Sequence, residues 1–230
     1  MTGLNDLTRL CPPPRTTQAI DWQAVETLLG MRLPADYKQL ASAYGPGAFC
    51  DFLHLYHPHA PTPWVNLTGP MPAALREQLR EDCNEGVHPV PHDPEHLFAI
   101  GVTDNGEYLF WVTGSGSGAD PDSWRVAVNE ARGTRWHTYD GNLTGFLADV
   151  LGGRTTIPQF PDGLLDHGVA FRPSPQPAEN TTIQPSRSAT GGAVDTKAVR
   201  SWARANGYQL PDRGRIPAPV ITAYKEANPQ

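Results

Sequence analysis

The sequence predicts an α+β domain, with helices packed on an antiparallel sheet, then a linker and a small helix-loop-helix domain. Three observations carry this. Apolar residues recur at helical spacing between Asp21 and Tyr44 and again between Leu143 and Leu151. Between those stretches, from Leu97 to Tyr139, short apolar runs are separated by turn residues, as in a strand meander. From Arg172 to Ala193 the composition then changes to Pro, Ser, Thr and Gln with almost no large apolar side chain, before helical spacing returns. The expected organisation is residues 1–172 as the α+β domain, 173–193 as a flexible linker and 194–230 as the small domain.

Taken in order, the first nineteen residues, with Pro12-Pro13-Pro14, read as a loose arm. A helix is expected from Asp21, with Trp22, Val25, Leu28 and Leu29 inward and Gly30 ending it. A second, from about Pro34 to Tyr44, buries Tyr37, Leu40, Ala41 and Tyr44 and stops at Gly45-Pro46-Gly47. Phe49 to Tyr56 reads as extended. Pro72 opens a charged helix carrying Leu75 and Leu79, which fades by Gly86. Leu97–Val102 and Glu107–Val112 are joined by Asp104-Asn105-Gly106, a strong hairpin signal. Trp124–Val128 and Thr134–Tyr139 extend the meander. A closing helix over Leu143–Leu151 turns Leu143, Phe146, Leu147 and Val150 inward before Gly152-Gly153.

Charge divides the chain as composition does. The formal net charge is −6, but residues 1–171 hold 10 basic and 20 acidic side chains, and residues 194–230 hold 6 basic and 3 acidic. An acidic body with a basic tail is the asymmetry expected when only the tail meets nucleic acid. Cys11, Cys50 and Cys83 are odd in number and widely spaced, which fits reduced thiols and not a disulfide frame or zinc site. No stretch reaches membrane-spanning length and no secretory leader is visible, so a cytoplasmic protein is expected.

Candidate chemistry in the body is weak. His54, His57 and His59, and then His88, His92 and His96, are interleaved with proline and match no standard zinc spacing; loop histidines are the better reading. Gly114-Ser115-Gly116-Ser117-Gly118 lacks the Lys-Ser/Thr of a phosphate loop. Asp120 and Asp122 flank Pro121 and suit a turn. No serine sits in a nucleophile motif. Trp111, Trp124 and Trp136 fit core packing, with an exposed docking surface as the alternative. No catalytic residue, metal or cofactor is assigned, and no enzyme is expected.

The tail is more informative. Asp195 is a suitable N-cap; Val199, Trp202 and Ala203 make an apolar stripe; Gly207 supplies a stop. Pro217 suits the start of a second helix striped by Val220, Ile221 and Tyr224. Between them lies Arg213-Gly214-Arg215, two guanidinium groups around a residue without a Cβ. The narrow minor groove of A·T-rich DNA focuses negative potential and draws in arginine. Lys197, Arg200 and Arg204 share one helix face, where a phosphate backbone would be neutralised.

The run Val199-Arg200-Ser201-Trp202-Ala203-Arg204-Ala205-Asn206-Gly207-Tyr208, followed by Asp212-Arg213-Gly214-Arg215-Ile216-Pro217-Ala218, resembles the C-terminal DNA-binding domain of the actinobacterial H-NS-like nucleoid silencers. That resemblance implies that Arg213, Gly214 and Arg215 enter the minor groove of AT-rich DNA. The body resembles the SUKH superfamily (Smi/Knr-like). The similarity rests on Trp22…Leu28-Leu29-Gly30, Leu33-Pro34-Ala35-Asp36-Tyr37-Lys38, Tyr44-Gly45-Pro46-Gly47, Asp104-Asn105-Gly106…Phe110-Trp111, Asp120-Pro121-Asp122-Ser123-Trp124-Arg125-Val126 and Phe146-Leu147. It implies an immunity protein against polymorphic toxins or a related protein-binding module, with no common catalytic machinery.

Together these imply a nucleoid-associated regulatory protein that binds AT-rich double-stranded DNA and docks a protein partner through its body. The rival expectation is a toxin-immunity protein whose tail places it on DNA. No membrane partner is expected.

Overall fold

The computed structural model describes residues 2–15, 18–86, 89–114, 120–131 and 133–175, all of which fall in one compact unit. In chain order these form α1 (Thr2–Leu10), α2 (Trp22–Leu29), α3 (Ala35–Tyr44), β1 (Gly47–Phe49), β2 (Leu53–Leu55), α4 (Met71–Glu85), β3 (Leu97–Thr103), β4 (Tyr108–Val112), β5 (Arg125–Asn129), β6 (Trp136–Tyr139), α5 (Leu143–Leu151) and β7 (Phe171–Pro173). The seven strands make one antiparallel sheet in the order β6-β5-β4-β3-β2-β1-β7. The fold class is α+β.

Why the middle elements form is plain in their residues. Asp21 caps α2, accepting the Ala24 N–H at 3.1 Å, and Gly30 ends it at φ 66, where a side chain would be strained. In α3, Tyr37, Leu40, Ala41 and Tyr44 are the buried residues, the predicted stripe. The Asp104-Asn105-Gly106 signal joins β3 to β4, and Leu143–Leu151 is helical over its predicted span.

Four expectations need correction. The N-terminal arm is not loose: α1 carries Leu4, Leu7 and, one turn on, Cys11 on a common face, and Leu7 and Cys11 are buried. Pro12 to Pro14 lie beyond the helix and do not interrupt it. α1 packs on α5 so closely that a Cβ on Gly3 would stand 2.6 Å from the Gly145 nitrogen. Leu28 is not on the inner face of α2; it is 72% exposed, while Trp22, Val25 and Leu29 pack on the core. Phe49 to Tyr56 is a hairpin and not one extended run, because the chain reverses at Cys50 and Asp51, both at φ 52. Lastly, Arg172 and Pro173 belong to the sheet. β7 pairs with β1, Ser174 donates its N–H to the Pro46 carbonyl, and Arg172 pairs with Asp51 at 2.7 Å. The expected linker start therefore overlaps a strand.

Both faces of the sheet are buried, and one of them carries α3 and α5. Trp111 pairs across the ladder with Phe98 and Val126, and Val126 with Tyr139, so these side chains point the same way. Tyr37 of α3 meets Trp111 edge-on at 5.1 Å, and Phe146 of α5 meets Tyr139 at 5.6 Å, which places both helices on that face. Asp36 lies in the first turn of α3, where its carboxylate accepts the Thr144 N–H at 2.9 Å and ties α3 to the start of α5.

Candidate functional site

The six residues assigned to DNA contact, Lys197, Arg200, Arg204, Arg213, Gly214 and Arg215, lie outside the described residues, as do His88 and residues 115–118 of the glycine-rich stretch. The geometry that follows is that of the body.

Its histidines take separate roles. His54 contacts Asp104 at 2.8 Å, His92 contacts the Thr138 hydroxyl at 2.9 Å, and His96 lies 3.8 Å from Asp93. His57 is not the exposed loop histidine that the sequence suggested. It is buried; its Nε2 lies 3.3 Å from the Ala41 carbonyl and its Nδ1 accepts the His59 N–H at 3.0 Å. Burial, with His59 beside it, pushes its pKa down to about 4, and the Ala41 contact only partly offsets this. The residue is a neutral structural group. Among the described residues no group of three or more His, Cys, Asp and Glu side chains is placed to hold a metal ion.

Asp120 and Asp122 form a structural turn. Asp120 accepts the Asp122 N–H at 3.1 Å, and Asp122 accepts the Ala35 N–H at 2.6 Å, satisfying an orphan donor at the start of α3. Of the tryptophans singled out in the sequence, Trp111 and Trp124 are buried and Trp136 is half-buried against Phe110, at 5.4 Å.

Among the described residues the exposed large aromatic is one that no sequence motif singles out. Trp64 is 55% exposed in a loop that Asn66 braces: its side-chain amide donates to the Pro58 carbonyl at 3.0 Å, and its Oδ1 accepts the Thr68 N–H at 2.9 Å. The Leu67 side chain of that loop is fully buried, so Trp64 is presented from a fixed base. Its signal in the sequence was an aromatic beside Pro63 in a stretch with no helical stripe. On the far end of α4, Glu81, Asp82 and Glu85 crowd the terminus, with no basic residue in the last turn, although the helix dipole favours cations there.

The SMI1/KNR4 family (SUKH-1) matches residues 17–148, more than half of the chain. The chain belongs to the SMI1/KNR4 family. In this SMI1/KNR4 protein a second match, to the Lsr2 DNA-binding domain, covers residues 191–227 and contains all six residues assigned to DNA contact. No solved structure matches the chain. Both families are those the sequence motifs resemble. The Lsr2 domain indicates DNA as a partner, and the SMI1/KNR4 body indicates protein interaction or immunity. Neither domain is known as an enzyme. No helix among the described residues is long and apolar enough to cross a membrane.

Proposed function

We propose that this is a non-enzymatic, nucleoid-associated regulator that binds AT-rich DNA through its tail and docks a protein partner through its SMI1/KNR4 body. The observation that carries the reading is the Lsr2 match over the one basic stretch of an otherwise acidic chain. In this reading the body runs through β7, a tether follows it up to residue 193, and residues 194–230 act as the DNA reader. Arg213 and Arg215 lie along the minor-groove floor, Gly214 lets the backbone approach it, and Lys197, Arg200 and Arg204 hold phosphates. A·T pairs leave room because they lack the guanine amino group in that groove.

Binding of full-length protein to AT-rich and GC-rich duplexes tests this. Arg213→Ala with Arg215→Ala weakens binding and removes most of the AT preference. Arg204→Ala weakens both duplexes nearly equally, since a phosphate contact carries no base information. A netropsin-type minor-groove ligand competes with the protein. An intact AT preference in the double variant would show that another segment reads the DNA.

A second reading, favoured by the family match, is an immunity protein held on DNA. Co-purification of a toxin domain with the body selects it; occupancy of AT-rich promoters with altered transcription selects regulation.

A further inference from the structure

The two edges of the sheet are finished differently. In the β1–β7 ladder, Cys50 donates its N–H to the Ala170 carbonyl and Ser174 to the Pro46 carbonyl, so Phe171 and Pro173 turn their backbone groups outward. Pro173 has no N–H, which blunts that edge against a further strand.

The β6 edge lacks such a guard. β5 and β6 pair Val126 with Tyr139, Ala127 with Thr138, Val128 with His137 and Asn129 with Trp136. Continuing in this register, Glu130 donates its N–H to the Arg135 carbonyl at 2.9 Å. Hydrogen-bonded and non-hydrogen-bonded pairs alternate along an antiparallel ladder. Arg135, His137 and Tyr139 therefore turn their backbone groups toward β5, and Trp136 and Thr138 turn theirs away from the sheet. Among the described residues nothing bonds to those outward groups. The strand has neither Pro nor Lys.

We propose that β6 is a dimerisation strand, through which two copies of the chain pair antiparallel about a two-fold axis at His137 and join their sheets. In this register Trp136 bonds to Thr138 of the second copy and Thr138 to its Trp136. It is the one register in which every open group on both β6 strands finds a partner. The half-buried Trp136 ring gains cover from Thr138 of the other copy, which points to the same face. Arg135, paired with Glu130 of its own copy and still 64% exposed at its side chain, stands opposite Tyr139 of the second copy on the same face, and that hydroxyl donates to Asp149, which also pairs with Arg154. The symmetry makes this contact twice. Repulsion between two acidic bodies opposes the pairing, but it is screened beyond about 8 Å at physiological salt. A dimer also carries two DNA-binding segments, so the second binds at high effective concentration once the first is bound.

Sedimentation equilibrium of the full chain tests the proposal. The wild type has twice the monomer mass. Thr138→Pro removes an outward N–H that the β5 ladder does not use, losing only the side-chain contact to His92, and reverts to monomer. Arg135→Glu gives up the ion pair to Glu130 of its own copy, adds a carboxylate near Asp149 of the second copy, and raises the dimer dissociation constant about fivefold. Circular dichroism and thermal melting check that both variants keep the fold; if Thr138→Pro does not, Arg135→Glu decides. A monomeric wild type at every soluble concentration overturns the proposal. So does a folded Thr138→Pro that still dimerises, or an Arg135→Glu dimer as tight as wild type.

Discussion

His57 is buried between the Ala41 carbonyl and the His59 amide, and its position makes a pH-dependent contribution to stability. In the unfolded chain it titrates near the usual 6.5; in the fold its pKa is pushed down to about 4. The unfolded state therefore binds more protons between those values, so the contribution is fully present above pH 6.5 and is lost as pH falls toward 4. A shift of this size corresponds to about 3 kcal/mol. His92 is shifted the same way by burial, so the comparison must isolate His57. His57→Gln keeps a donor for Ala41 but cannot be protonated. Denaturant melts from pH 7 to pH 4.5 should show a shallower loss in His57→Gln than in wild type; parallel curves would mean His57 is not the group responsible. The sequence displays a histidine flanked by proline, which reads as surface. Its burial comes from α3, sixteen residues earlier, and no local pattern carries that information.

At the scale of elements, long stripes were legible and short or tertiary-held ones were not. Tyr37, Leu40, Ala41 and Tyr44 could be placed inward because one helix repeats its own period. β7 has three residues, and its stability comes from pairing with β1, so its Arg172-Pro173 looks like the start of a linker. The β1–β2 reversal uses Cys50 and Asp51 where a hairpin signal would show Asn-Gly, and the positive φ of these residues is imposed by the strands around them. α1 is the sharpest case, and it makes a prediction. If the arm were loose, truncating Leu7 would change nothing. Because Leu7 is fully buried in a helix packed on α5, Leu7→Ala should lower unfolding stability by about 2–4 kcal/mol. A variant within error of wild type in chemical denaturation would return the segment to the status of an arm. Tyr44→Phe should cost less, about 1 kcal/mol, since it removes only the hydroxyl bond to the Cys11 carbonyl that pins the end of α1.

For the whole molecule, the opposite charges of body and tail decide how it meets DNA. Residues 1–171 hold twice as many acidic as basic side chains, and residues 194–230 hold the reverse ratio. Both family assignments were legible in the motifs; the DNA contacts were legible only as Lys197, Arg200 and Arg204 at helical spacing and Arg213-Gly214-Arg215 as a loop, and all six lie outside the described residues. If the tail alone meets the duplex, the body on its own should bind no DNA, and the contact should be small. A module of that size makes about three to five phosphate contacts, so each DNA-binding segment should give a log–log salt slope of about −3 to −4.5 from counterion release. Fluorescence anisotropy of a short AT-rich duplex, long enough for one tail, measures this at several salt concentrations. Arg204→Ala should flatten the slope by about one unit, as loss of one phosphate contact requires. A slope near zero would remove the electrostatic account. A slope twice as steep on the short duplex would mean that more than the tail is in contact, and strong retention of residues 1–172 in a gel shift would show that the acidic body takes part in binding.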